Sequence, residues 1–168
     1  MFLPTPIAQG GIELPDFPES ERGRADGAGS RFPLASEDLG VTNGLVDATL
    51  SSDPYPIKAW IVYGQNVIES IPQPKRTLEA IGKLDLMVVV DVLPVDQIDY
   101  ADVVLPEATY LERYDSPLFV GSAKRPFVAI RQPVVEPLYE SKPGWWIAKQ
   151  LAKRLGLEGF FPWDTPAQ

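Results

Sequence analysis

The sequence predicts an α/β fold with a mostly parallel sheet flanked by helices. Short apolar runs alternate with segments of helical periodicity, which is the order expected when each strand is followed by a crossover to a parallel neighbour. The run DLMVVVDVL is apolar through most of its length, and such runs are typical of strands that are covered on both faces.

The first elements predicted after the N-terminal region are a helix and a strand. The helix begins at Thr42 or Asn43, since both residue types are good N-caps, and the prolines of DPYP end it. The apolar and β-branched run IKAWIVY predicts the first strand over 57–63, and Gly-Gln-Asn at 64–66 predicts a turn after it.

The alternation continues with a helix and two further strands. Residues 74–84 have the periodicity of an amphipathic helix, with an apolar side made by Leu78, Ile81 and Leu84. Residues 85–93 predict the second strand. The run DVVLP at 102–106 predicts a third, buried strand after a short link.

Two more elements are predicted towards the end of the chain. Residues 126–135 predict a fourth strand, at an edge or end of the sheet because Pro133 has no N–H for the ladder. Residues 144–156 predict a helix that ends at Gly156. Its side chains spaced for burial are Trp146, Ile147, Leu151 and Leu155.

Residues 1–40 predict an extended arm. The segment mixes proline, glycine and alternating charge and shows neither helical nor strand periodicity. The composition fits a disordered arm, but spaced apolar residues such as Ile12 and Phe32 favour one laid across a larger surface. The predicted organisation is therefore an arm over 1–40, an α/β domain over 41–160 and a tail over 161–168.

The composition excludes several classes of function. A net charge of −8 and a pI near 4.5 argue against binding to nucleic acid or anionic membranes, since both require basic surfaces. The chain has no cysteine and no histidine, which excludes disulfides, thiolate metal sites and histidine-dependent nucleophilic catalysis. Because no run is long and apolar enough to span a bilayer and no signal-peptide pattern is present, direct membrane insertion is not expected.

Candidate ligand-binding residues follow the first predicted strand. Ligands of open parallel sheets lie outside the carboxyl ends of the strands. Gly64 permits close backbone approach, and Asn66 offers amide donors and an acceptor suited to a phosphate or a nucleobase edge. Ser70 is suited to cap the next helix or to donate to a phosphate. The composition alone favours a plain turn over a ligand site.

Asp91 at the end of the second strand is a further candidate. Its carboxylate can accept hydrogen bonds from a ribose diol or from the N1–H and N2–H₂ edge of guanine. It fits a strand-end cap equally well.

An acidic stretch from Asp99 to Asp115 surrounds the third strand and raises the question of acid–base catalysis. Glu107 and Glu112 lie five residues apart and not on one helical face, and no histidine or nucleophile is nearby. Solvated or capping carboxylates are therefore favoured, and no catalytic or metal-binding residue is predicted. The basic residues Lys124, Arg125 and Arg131 are expected to pair with these acids rather than with ligand phosphates.

The motifs YGQN, VVVD and ADVVLPEATYLE, in this order and at this spacing, resemble the molybdopterin oxidoreductase family of the dimethyl-sulfoxide-reductase type. The resemblance covers most of residues 40–160. Two stretches, LPEATYLERYD and SKPGWWIAK, are similar to the catalytic subunits of polysulfide, thiosulfate and tetrathionate reductases.

The resemblance implies a Rossmann-like domain that holds one half of a bis(molybdopterin guanine dinucleotide) cofactor. The residues that it implies for this cofactor are Gly64, Gln65, Asn66, Ser70, Val90, Asp91 and Pro94. Three positions depart from the family pattern. Val95 and Gln97 replace common threonines, and Gly144 replaces a frequent acidic residue before the last helix.

The resemblance further implies a fragment of a longer catalytic subunit that reduces sulfur compounds in anaerobic respiration. The molybdenum and an iron–sulfur cluster are then held by regions outside this sequence, so the chain by itself is expected to be inactive. The implied partners are the remaining domains of the subunit, together with iron–sulfur and membrane-anchor subunits, in a branch that is often periplasmic. The alternative is a stand-alone, non-catalytic nucleotide-binding module or a remnant.

Overall fold

A computed structural model describes residues 22–35, 40–115, 118–120, 125 and 127–165. The described residues divide into two compact units, one that ends at Pro106 and one that begins at Glu107. We call them the sheet unit and the C-terminal unit. The first half of the predicted arm lies outside the described residues.

Three parallel strands in sequential order form the centre of the sheet unit. They are β1 (Ala59–Tyr63), β2 (Leu86–Asp91) and β3 (Val103–Pro106). Tyr63 pairs with Val90, and Asp91 pairs with Pro106, so the three strands end at one edge of the sheet. The predicted α/β class with a parallel sheet is confirmed.

Helices pack against one face of this sheet. They are α1 (Thr42–Ser51), α2 (Val67–Ser70) and α3 (Pro74–Ile81), and a 3-10 segment (Asp96–Tyr100) precedes β3. The core between them contains Trp60 and Val62 of β1 and Met87 and Val89 of β2. The buried Trp60 indole donates to the Thr49 hydroxyl at 3.2 Å, so its polar atom is satisfied.

The opposite face of the sheet is only partly covered. Ile61 of β1 is 63% exposed, and Leu86 and Val103 on the same face are also exposed. Coverage on both faces is predicted for β2, and there Val90 is buried on this same face, so β2 departs from the prediction only at its first residue, Leu86. The prediction that β3 is buried is wrong, since Val104 on the other face is exposed as well.

The arm segment 22–35 packs on the amino-terminal part of α1. The Asp26 carboxylate accepts hydrogen bonds from the backbone N–H groups of Ala28 and Val41 at 3.2 and 2.9 Å. Gly44 of α1 lies directly against this turn, because a Cβ at that position would be 2.0 Å from the Asp26 carbonyl oxygen. The N-cap of α1 is Val41, without a side-chain cap, rather than Thr42 or Asn43.

The C-terminal unit contains a two-stranded antiparallel sheet and a helix. The sheet pairs β4 (Leu118–Val120) with β5 (Phe127–Ala129), and the helix is α4 (Gly144–Leu155), followed by a 3-10 segment (Glu158–Phe160). The predicted fourth strand is thus shortened to three residues and does not join the parallel sheet.

The predicted end of α4 is confirmed. Gly156 adopts a left-handed conformation with φ +74° as its C-cap. The predicted burial is confirmed for Ile147 but not for Leu155, which is 71% exposed, or for Trp146, which is partly exposed.

Candidate functional site

The carboxyl ends of β1 and β2 bring the two predicted loops together. Gly64 follows Tyr63, whose partner in β2 is Val90, and the Gly64 N–H donates to the Val90 carbonyl at 2.9 Å. Gly64 therefore lies beside Asp91. Its φ of +60° favours glycine, and a Cβ built there would meet no atom within 4 Å, so the space in front of this backbone is open.

Asn66 is the N-cap of α2. Its Oδ1 accepts hydrogen bonds from the backbone N–H groups of Ile68 at 3.2 Å and Glu69 at 3.4 Å. This confirms the turn interpretation for one half of the amide. The Nδ2 group has no hydrogen-bond partner among the residues that the structure describes, so its two donors remain available.

Ser70 and Gln65 form hydrogen bonds within the same loop. The Ser70 hydroxyl donates to the Asn66 carbonyl at 2.6 Å and accepts from Gln65 Nε2 at 2.9 Å. Ser70 is the last residue of α2, while the N-cap of α3 is Gln73. The expectation that Ser70 caps the next helix is therefore wrong. Its hydroxyl stabilises the loop instead.

Asp91 ends β2 and forms a tight turn. Its Oδ1 accepts from the backbone N–H groups of Val92 at 2.7 Å and Leu93 at 3.2 Å. For Oδ2, the described residues provide no hydrogen-bond partner, so this oxygen can accept from a ligand. The neighbouring Val90 side chain is buried and only its carbonyl takes part in the loop contact, whereas Pro94 is exposed.

Gln97 completes this region, although the sequence indicated it only as a departure from a family pattern. It belongs to the 3-10 segment, is fully buried, and makes both of its side-chain hydrogen bonds to the loop after β1. Its partners lie 30 and 32 residues away in the sequence, so no local pattern could have identified them.

The acidic stretch around β3 is engaged in structural contacts. Asp102 accepts from the Met87 N–H at 2.7 Å at the start of β2. In the C-terminal unit, Arg113 pairs with Glu107 and with Asp115. These contacts agree with the prediction that the acids are architectural.

Two further residues extend this structural network. Arg131 also pairs with Asp115, which confirms internal pairing for that arginine, whereas Lys124 lies outside the described residues. Glu112, 8% exposed, accepts from the N–H groups of Thr109 at 2.7 Å and Leu138 at 3.0 Å. These hydrogen bonds lower the pKa of Glu112 below its ordinary value, and the bond from the Thr109 N–H has the largest effect.

The described residues contain no group of three or more histidine, cysteine, aspartate or glutamate residues placed to hold a metal ion. Within the same residues, no helix is long and apolar enough to cross a membrane.

Comparison with known proteins identifies several relatives. The family model described as molybdopterin oxidoreductase matches residues 19–154. The thiosulfate reductase molybdopterin-containing subunit of Salmonella typhimurium is 36% identical over 153 residues, which is 91% of this chain and 20% of that protein. The dimethyl sulfoxide reductase DmsA of Escherichia coli is 33% identical and covers 63% of this chain and 14% of its own length.

A solved structure supports the same relationship. Acetylene hydratase from Pelobacter acetylenicus superimposes with a TM-score of 0.63 at 32% identity, covering 75% of this chain and 17% of the other. The chain thus spans about a fifth of the length of the thiosulfate reductase subunit and less of the other relatives. The names of these relatives refer to three different substrates, so the similarity by itself does not specify a reaction.

Proposed function

The chain belongs to the molybdopterin oxidoreductase family, and we propose that it is the part of a catalytic subunit that binds one molybdopterin guanine dinucleotide. The observation that carries this proposal is that Gly64, Asn66 and Asp91 lie at or just after two adjacent strand ends. Asn66 Nδ2 and Asp91 Oδ2 have no hydrogen-bond partner among the described residues. The whole subunit would reduce a sulfur compound such as thiosulfate, polysulfide or tetrathionate. The extent of similarity to the thiosulfate reductase subunit supports that branch.

The residues present fit the nucleotide end of this cofactor. Guanine presents an N1–H and N2–H₂ donor edge that is complementary to a carboxylate oxygen, and Asp91 Oδ2 is such an acceptor. Its O6 and N7 atoms and the ribose or phosphate oxygens accept hydrogen bonds, which the Asn66 amide can donate. The open space in front of Gly64 allows a ligand to approach the backbone closely.

The composition indicates which part of the cofactor this chain would bind. When bound, the cofactor supplies a molybdenum centre for redox chemistry, and the metal would be held by regions of the longer subunit. This chain has no cysteine with which to ligate a metal or an iron–sulfur cluster. Its own residues would hold the nucleotide and so fix where the other end of the cofactor lies.

The proposal is tested by titrating the chain with GMP in a calorimeter. Asn66→Asp retains the oxygen that caps α2 but removes the Nδ2 donors. Asp91→Asn retains an oxygen for the turn but replaces the outward acceptor with a donor. We expect each substitution to weaken GMP binding about tenfold or more, which corresponds to about 1.4 kcal/mol.

Matched controls make the same chemical changes away from the site. Asn43→Asp alters an exposed residue of α1, and Asp85→Asn alters an exposed residue at the opposite end of β2. Both controls should bind GMP like the wild type. Unchanged affinity in Asn66→Asp and Asp91→Asn, or no binding by the wild type, would contradict the proposal.

A further inference from the structure

We propose that Gln97 is a positioning residue that holds the loop after β1 in the conformation needed for nucleotide binding. This inference rests on the proposed function. It concerns a residue that contacts the loop backbone rather than the ligand.

Both polar atoms of the Gln97 side chain bind this loop. Oε1 accepts from the Val67 backbone N–H at 2.9 Å, and Nε2 donates to the Gln65 carbonyl at 2.6 Å. The side chain is completely buried, with 0% exposure, and its bond to the buried Val67 N–H is shielded from competition by solvent.

The two bonds lie on either side of Asn66. One is made to the residue before it and the other to the residue after it, so together they restrict the backbone orientation of Asn66. Asp91 ends β2, and Gln97 lies six residues after it in the connection between β2 and β3. A single side chain therefore links the loop that carries Asn66 to the connection that follows Asp91.

The choice of an amide at this buried position needs a reason beyond packing. An apolar side chain of similar volume could fill the space, but it would leave the Val67 N–H and the Gln65 carbonyl without these partners. Leaving the buried Val67 N–H unpaired is costly. The amide accordingly selects one arrangement of the loop, in which the backbone on both sides of Asn66 is fixed.

The test compares Gln97→Met with a control of similar effect on stability. Methionine has nearly the length of glutamine but lacks the amide. Val46→Ala, in the buried core of α1, lowers stability but removes no hydrogen bond to the loop. For both variants and the wild type, we would measure GMP affinity and the hydrogen exchange of individual backbone amides.

The expected result is specific to Gln97. In Gln97→Met the Val67 amide should exchange at least about tenfold faster relative to the amides of β2, and GMP affinity should fall at least about tenfold. Val46→Ala should leave GMP affinity within about twofold of the wild type. If Gln97→Met does not fold, Gln97→Glu serves instead, because it keeps an oxygen for Val67 but cannot donate to Gln65 when ionised.

Two outcomes would overturn the inference. One is wild-type GMP affinity in the Gln97 variant, and the other is an equal loss of affinity in Val46→Ala, which would mean that affinity simply follows stability. A wild type that binds no GMP would instead contradict the proposed function. The exchange of the Val67 amide then decides separately whether Gln97 holds the loop, and unchanged exchange would refute that role.

Discussion

At the residue scale, Asn66 and Asp91 use only part of each side chain for local structure. The Oδ1 atom of each accepts from nearby backbone N–H groups and fixes the local turn. Asn66 Nδ2 and Asp91 Oδ2 are available for the ligand that we propose. A turn residue and a ligand-binding residue are therefore compatible interpretations of the same position, although the sequence presents them as alternatives.

Gly44 illustrates a different constraint at the residue scale. The backbone of Asp26 occupies the space that a side chain at position 44 would need. We expect Gly44→Ala to displace the arm segment from α1, because a backbone carbonyl cannot move aside as a flexible side chain can. The free energy of unfolding should fall by about 1–3 kcal/mol, the usual cost of overpacking.

The measurement for Gly44→Ala is urea denaturation together with hydrogen exchange of the Val41 amide, which donates to Asp26. Gly82→Ala provides the control, because a Cβ there would meet only ordinary contacts at 3.6 Å. Equal stabilities of Gly44→Ala and the wild type would show that the arm does not pack on α1 as described.

At the element scale, elements with an apolar run or a helical period of their own follow from the sequence. The strands β1, β2 and β3 have such runs and the helices α3 and α4 have such a period, and their predicted positions agree with the structure to within a few residues. The four residues of α2 and the three of β4 are too short to display one. Such elements depend on tertiary contacts.

The candidate site, too, could be predicted from the sequence only in part. Residues at strand ends can be identified in advance, because parallel strands place their carboxyl ends at one edge. The link through Gln97 could not be predicted, since it joins segments that are adjacent only after the sheet has formed. The exposed face of β1 was also not predictable, because its residues are as apolar as those of a covered face.

Glu112 gives an element-scale prediction about pH. It joins the segment after β3 to the segment near Leu138, and its pKa is lowered by the hydrogen bonds from Thr109 and Leu138. Since the folded pKa lies below the unfolded one, this contribution to stability is present above the ordinary value of 4.5. It is lost as the pH falls through the folded pKa.

The substitution Glu112→Gln should therefore destabilise the chain near neutral pH and have a smaller effect in acid. The side-chain NH₂ of the glutamine would face one of the two backbone N–H donors that a carboxylate oxygen now accepts from. Thermal denaturation measured across the acid range tests this, with Glu136→Gln at an exposed position as the control. A stability difference that is independent of pH would contradict the assignment.

At the scale of the whole molecule, one face of the sheet exposes apolar side chains to solvent. Exposed strand residues such as Ile61 form part of a surface that a soluble monomer seldom leaves uncovered. We expect the isolated chain to self-associate, because the longer subunit that we propose would supply a cover.

Replacement of Ile61 by lysine should reduce this self-association. Because the side chain is 63% exposed, the substitution should change the free energy of unfolding by no more than about 0.5 kcal/mol. Sedimentation velocity would detect the change, and Asn43→Lys at an exposed position of α1 adds the same charge away from this face as the control. A wild-type chain that remains monomeric at all accessible concentrations would contradict this expectation.

If the carboxyl ends of β1 and β2 bind the guanine nucleotide of a molybdopterin cofactor, GMP should bind to the same place. An NMR titration of the ¹⁵N-labelled chain with GMP measures this directly. We expect saturable chemical-shift changes at the amides of Gly64, Gln65, Val92 and Leu93, with little change along α4. Shifts confined to other residues, or no saturable shifts, would contradict the proposed site.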